Sequence, residues 1–217
     1  VLCVGGEAGS GGAILLAVQA ALRCGAGLAT VATRAAHVPA LLARCPEAMA
    51  HAGEDVAQLD ALLGRADVVA IGPGLGQGAW GRALFERVLA CDKPRVFDAE
   101  ALSLLAASGA MLRPDDVVTP HPGEAARLLG TTTAEVQRDR FAAVAALQAR
   151  WGGVAVLKGA GTLVQAPGVP PVVLCAGNPG MGTGGMGDLL TGVVAALHGQ
   201  GFTPRDAAVA GALLHAA

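Results

Sequence analysis

Repeatedly along this sequence a short apolar, β-branched run gives way to a turn, and the turn to an Ala/Leu-rich segment of helical period. A chain written this way alternates strand and helix, and strands joined through helices lie parallel. Val1 to Val4 leads through a glycine-rich loop into Gly12 to Leu22, Leu28 to Ala32 into Ala36 to Leu42, and Asp67 to Ile71 into Ala79 to Leu89. Val96-Phe97 precedes Ala99 to Ala106, and Val117-Val118 precedes Glu124 to Leu129. A strand as apolar as Val68-Val69-Ala70-Ile71 is buried on both faces, so helices must cover both sides of the sheet. After a strand at Ala155 to Leu157, the runs Thr162 to Gln165 and Val172 to Leu174 flank Pro167 to Pro171, which suits a hairpin-like edge; helices follow at Met186 to Leu197 and Pro204 to Ala216. With 217 residues and no repeat, charge run or long linker, the expectation is one doubly wound α/β domain with a mostly parallel sheet over residues 1–217. Ligands of such folds bind at the carboxyl ends of the strands.

Composition removes several classes of function. Apolar residues make up 53% and charged residues 15%, which excludes disorder and a coiled coil. Fifteen basic against seventeen acidic residues, 3% aromatics and no Tyr leave neither a phosphate-tracking surface nor stacking platforms, so nucleic acid is not an expected partner. Mean hydropathy is +0.53. The apolar runs nonetheless break at Gly, Pro or charge well before the roughly 18 residues of a membrane span. The five cysteines lack CxxC spacing, so the expectation is buried thiols in a reducing, cytoplasmic compartment. The sequence opens in a strand without Met, so further chain is expected before it.

The segment richest in chemistry is Asn178-Pro-Gly-Met-Gly-Thr-Gly-Gly-Met-Gly-Asp188, followed by Leu189, Leu190, Val193, Val194 and Leu197 at helical spacing. Successive glycines let backbone N–H groups converge, and the helix start adds about half a positive charge, so the junction suits an anion such as phosphate. Asp188 falls in the first helical turn, where it can complement the helix dipole; beside an anion cradle it can also take a proton from a hydroxyl attacking a held phosphoryl group. Gly182 to Gly187 matches GxGxxG, but Asn178 to Met181 intervene where a dinucleotide fingerprint needs a strand. No GxxxxGK[ST] is present.

Other strand ends carry related signals. Ile71-Gly-Pro-Gly-Leu-Gly76 and Gly5 to Gly12 permit close approach of a ligand, or merely tight turns. Lys158, one of two lysines, stands at a strand end before Gly159-Ala160-Gly161-Thr162. In Thr119-Pro-His-Pro-Gly-Glu124, two prolines present His121 rigidly for ligand contact, and Glu124 can help hold a hydrated Mg²⁺ on polyphosphate. His37, His51, His198 and His215 form no constellation.

Taken in order, Ile71 to Gly76, Phe97-Asp-Ala-Glu-Ala-Leu102, Thr119 to Glu124, Lys158 to Thr162 and Asn178 to Asp188 resemble the ADP-dependent NAD(P)H-hydrate dehydratases of the ribokinase-like superfamily. The resemblance implies a repair lyase that returns NADHX or NADPHX, hydrated at the nicotinamide, to NADH or NADPH at the expense of ADP, or of ATP. Asp188 is then the base for the C6 hydroxyl, and the amides of Gly184, Gly185, Met186 and Gly187 form the anion hole. Lys158, Gly159, Ala160, Gly161 and Thr162 line the adenine nucleotide with Gly187. Ala13, Gly74, Gly76 and His121 contact the hydrated dinucleotide together with Asp188, and Glu124 serves Mg²⁺. The resemblance also implies a homo-oligomer and, in many bacteria, an epimerase domain fused upstream. Gly182 stands where the family commonly has Ala, and Glu100 and Ser103 where Asp and Asn are common. The alternative is an ATP-dependent kinase of a small vitamin-precursor alcohol, which needs the same cradle and aspartate; His121 stands where those kinases more often carry Asn.

Overall fold

The computed structural model describes residues 1–54 and 56–217. Among the described residues, runs of two to four residues form nine strands of one sheet: β1 (Leu2–Val4), β2 (Thr30–Thr33), β3 (Met49–Ala52), β4 (Val69–Ile71), β5 (Arg95–Phe97), β6 (Val117–Val118), β7 (Val154–Leu157), β8 (Thr162–Gln165) and β9 (Val172–Leu174). Their order across the sheet is β3-β2-β1-β4-β5-β6-β7-β8-β9. The first seven run parallel, and β8 and β9 add an antiparallel edge on either side of the Pro-rich turn, as the sequence predicts.

Among the described residues ten α-helices cover the sheet: α1 (Gly11–Arg23), α2 (Val38–Arg44), α3 (Val56–Arg65), α4 (Ala79–Ala90), α5 (Ala99–Ser108), α6 (Pro122–Leu129), α7 (Thr133–Arg138), α8 (Arg140–Trp151), α9 (Met186–Gly199) and α10 (Pro204–Ala216). Alternate residues of the central strands feed opposite cores, which is why β1, β4 and β7 read as unbroken apolar runs. Val69, Ile71 and Phe97 pack with Leu84, Leu102 and Leu147 of α4, α5 and α8. Ala70, Val96 and Val156 pack with Ile14, Val194 and Ala208 of α1, α9 and α10.

Four elements lie where the sequence predicts none: β3, α3, α7 and α8. The thiols also depart from expectation, since only Cys3 and Cys45 are buried; Cys24 and Cys91 are half-buried and Cys175 is exposed. Among the described residues no helix is long and apolar enough to cross a membrane.

Chain order reverses across the sheet at β1, whose neighbours are β2 and β4. A crevice opens at such a point beyond the carboxyl ends, because the connections leave in opposite directions. Helix α9 arrives there from the far edge: after β9 the chain crosses back and packs on α1. A Cβ on Gly192 would collide with the Ala17 carbonyl, so the two helices cross backbone to backbone.

Candidate active site

Two strand-end loops meet at the reversal. The Gly6 N–H donates to the Pro73 carbonyl at 3.0 Å and the Glu7 N–H to that of Gly74 at 2.6 Å. Gly74 sits at φ +61°, and a Cβ there would lie 2.7 Å from Ser10 Cβ and 3.3 Å from Ala13 Cβ. Only glycine suits both the angle and the space. The space beside Gly76 is filled by the Glu7 side chain, which Arg34 grips with two hydrogen bonds of 2.6 and 3.0 Å. The Arg34 guanidinium lies 4.4 Å from the centre of the Trp80 ring. Ala13, Gly74 and Gly76, separate in sequence, therefore form one floor.

Beside this floor lies a charged cluster gathered from β5, β6, β7 and α9. Asp98 follows the last residue of β5 and is 1% exposed. The Lys158 ammonium, at the end of β7, lies 2.7 Å from Asp98 Oδ1 and 3.8 Å from Glu124 Oε2. The Thr191 hydroxyl on α9 donates to Asp98 Oδ2 at 2.9 Å and lies 3.0 Å from the Gly187 carbonyl. His121 caps α6: its Nδ1 accepts from the N–H groups of Gly123 and Glu124, while Glu124 Oε2 accepts from the His121 N–H at 2.8 Å. That capping box assigns the ring proton to Nε2, which faces Glu124 Oε1 at 3.4 Å. Half the His121 side chain stays exposed, so capping leaves an edge for a ligand.

The start of α9 completes the arrangement. Gly185 takes φ +93° as its N-cap, close against Leu16 of α1. The N–H groups of Gly184 and Gly185 find no acceptor among the described residues, and that of Met186 reaches the Thr183 carbonyl only at 3.4 Å. Converging unsatisfied amides at a helix N-terminus are an anion site by construction. A Cβ on Gly187 would lie 3.1 Å from Lys158 Nζ, so the ammonium abuts the cradle. The backbone of the loop behind Lys158 is held separately, by Arg140 of α8 bonding to the carbonyls of Leu157, Lys158 and Gly161. Thr162 ties the same loop to the Gly159 carbonyl at 3.0 Å.

Crowding of acids sets the titration. Burial, then the Asp98 charge, pushes the Asp188 carboxyl up to about 6 against the pull of Lys158, with Glu100 adding to the rise. Burial pushes Glu124 up to about 7, again against Lys158. Burial also works against charge on Lys158, yet Asp98 and Glu124 outweigh it and hold the ammonium above its ordinary range. Burial lowers His121, helped by Lys158 and Arg127. A carboxylate base near neutral pH beside an unsatisfied anion cradle and a fixed cation can deprotonate a hydroxyl while a phosphoryl group is held.

The structure thus brings Asp188, Gly184, Gly185, Met186, Gly187, Lys158, Glu124 and His121 into one cluster at the strand ends, with Gly159, Ala160, Gly161 and Thr162 in the adjoining loop. Sequence reasoning quotes Asp98 and Glu100 only within the segment Phe97 to Leu102 and gives them no role, and it passes over Thr191 and Arg140. The available signal is an acid directly after the apolar pair Val96-Phe97 at a strand end, for which burial demands a partner.

Comparison with known proteins assigns the chain to a family. The model of the NAD(P)H-hydrate dehydratase family matches residues 1–217. The chain belongs to the NAD(P)H-hydrate dehydratase family. Its relatives include a bifunctional NAD(P)H-hydrate repair enzyme of Coxiella burnetii, 50% identical over 99% of this chain and 44% of the relative. An ADP-dependent (S)-NAD(P)H-hydrate dehydratase of Neisseria meningitidis is 40% identical over 99% of this chain and 74% of its own. The chain therefore spans less than half of the bifunctional relative and about three quarters of the dehydratase. Among solved structures, the ADP/ATP-dependent NAD(P)H-hydrate dehydratase of Bacillus subtilis, co-crystallised with ATP/Mg²⁺, superposes with a TM-score of 0.85 at 28% identity, over 99% of this chain and 77% of that one.

Proposed function

We propose that this family member restores NADH and NADPH from NADHX and NADPHX, with ADP as phosphoryl donor. The observation that carries the reading is Asp188, a half-buried carboxyl raised to about 6, one helical turn beyond the free amides of Gly184 and Gly185. The C6 hydroxyl oxygen attacks the terminal phosphorus, its proton passes to Asp188, and the bond to the AMP oxygen breaks. Amides of Gly184, Gly185, Met186 and Gly187 take the developing charge. The ring nitrogen's lone pair then expels phosphate from C6, and loss of a C5 proton restores the double bond. Ala13, Gly74, Gly76 and the exposed edge of His121 hold the hydrated dinucleotide, and Lys158 to Thr162 hold the nucleotide.

The residues fit a hydrated Mg²⁺. Glu124 Oε1 is met only by a 3.4 Å contact, and Glu100 Oε2 is buried without a partner among the described residues. No group of three such side chains is arranged to hold an ion alone among those residues, which suits an ion that keeps waters and takes one or two carboxylates beside phosphates. Bound there through Glu124, Mg²⁺ supplies neutralisation of polyphosphate charge. The larger chains of the bifunctional relatives support a second domain beside residues 1–217, for which an epimerase is the proposal.

Mixing the protein with chemically hydrated NADH, Mg²⁺ and ADP should raise absorbance near 340 nm, matched by released phosphate. Phosphate retained on an organic product, with no rise, would replace this reading with the alcohol kinase. Running ATP in parallel identifies the better donor.

A further inference from the structure

We propose that Asp98 and Thr191 form a positioning pair that fixes the Lys158 ammonium at the Gly187 end of the cradle, where it contacts the phosphoryl group in transfer. The inference rests on the dehydratase reading and deepens it. It assigns a task to a buried acid and a buried hydroxyl that the reaction otherwise leaves unused.

Geometry separates the Lys158 side chain from its own loop. The loop backbone is secured by Arg140, and the Lys158 N–H by the Pro120 carbonyl at 2.9 Å. The ammonium instead reaches Asp98 at 2.7 Å and lies beside Gly187, one residue before Asp188. An ammonium has three donors, and Asp98 takes one at hydrogen-bond length. Glu124, at 3.8 Å, is beyond such a bond, so donors remain for phosphoryl oxygens. Asp98 is itself held: its second oxygen takes the Thr191 hydroxyl, and Thr191 is fully buried one turn beyond Gly187. The pair therefore ties β5, β7 and α9 together at the cradle.

Charge gives the arrangement its purpose. Asp98, Glu124, Asp188 and Glu100 would repel a polyphosphate unless a cation stood among them. Were the ammonium free, it would also be drawn to Asp188 and occupy the base. Asp98 prevents that, because it is the only carboxylate within hydrogen-bond distance of Lys158 among the described residues. The charged groups facing Asp188 are Asp98 and Glu100 from the β5 end and Lys158 from β7, with His215 of α10 beside Met186.

The test is steady-state turnover of hydrated NADH with ADP and Mg²⁺, alongside ADP binding by calorimetry. Lys158→Met and Asp98→Asn should each lower kcat about 100-fold; Asp98→Asn, which leaves the nucleotide loop intact, should keep the ADP Kd within about threefold, and Lys158→Met should weaken ADP by less than about tenfold. Thr191→Val should lower kcat about tenfold and Thr191→Ser should recover it, a rescue that packing alone does not produce. In Asp98→Asn the acidic limb of kcat/KM should move to lower pH, because losing the Asp98 charge and releasing the ammonium both favour ionised Asp188. Retained ADP binding shows that a variant has folded; should Asp98→Asn fail that control, the Thr191 pair decides. Lys158→Met that weakens ADP more than tenfold with kcat kept, or Asp98→Asn with unchanged kcat and pH limb, overturns the assignment alone. A wild-type protein that never restores the 340 nm absorbance overturns the dehydratase reading and this assignment with it.

Discussion

Asp188 gains its chemistry from crowding. An ordinary aspartate is too weak a base to take a proton from an alcohol at neutral pH; burial and the neighbouring Asp98 raise it to about 6 without losing the ionised form at pH 7.5. Asp188→Asn should lower kcat by about a thousandfold while the ADP Kd, set by amides that remain, stays within a few-fold. Stopped-flow absorbance and calorimetry read the two separately, and equal losses in both would return Asp188 to helix capping. Its pH dependence has a definite sign. The base must be ionised, so the wild-type rate should fall as pH drops through about 6, with a limb that tracks the Asp188 environment. Lys158 shows the limit of reading at this scale. Its position at a strand end is plain in the sequence, but the direction of its side chain is decided by Asp98, sixty positions away.

Helices α1 and α9 meet where neither has a side chain to spare. Gly192→Ala would drive a methyl into the Ala17 carbonyl, and overpacking of this kind costs about 2–3 kcal/mol. Urea unfolding should show a lower midpoint at unchanged slope, together with reduced kcat, because α9 carries the cradle at its start. Elements with continuous apolar runs are legible in the sequence: β4, β7 and the amphipathic α1 and α9 fall where their patterns place them. β3 was not, since Met49-Ala50-His51-Ala52 has little β-branched character and becomes a strand only by pairing with β2. α7 and α8 were hidden by Arg and Ala without a clear stripe, although Thr132 and Glu135 form a capping box that spacing alone could have revealed. The same distinction holds within the site. Glycine loops and Asp188 announce themselves locally, whereas Asp98 and Thr191 acquire meaning only once the sheet brings β5, β7 and α9 together.

The molecule as a whole carries a stability cost at its site. Glu124 is 7% exposed and its carboxyl sits at about 7 instead of its ordinary 4.5. Between those values the folded protein holds a proton that the unfolded chain has released, so stability falls as pH rises through that window. At about 1.4 kcal/mol per unit, the loss by pH 8 is on the order of 3 kcal/mol. Asp188 contributes with the same sign between its ordinary 3.8 and about 6. Glu124→Gln keeps an oxygen for the His121 N–H, so it should raise the melting temperature at pH 8 and flatten the profile from pH 5 to 8. A steeper profile in that variant would show that Lys158 more than compensates for burial. The floor at the strand reversal has a different consequence. Because main-chain groups of two crossing loops build it, with Gly6 bonded to Pro73 and Glu7 to Gly74, its shape is nearly blind to side-chain identity. Drift in the surrounding surface leaves it untouched, and a change at Gly74 removes it outright; such a surface is inherited intact or lost, with no graded path by which selection could retune it toward another ligand.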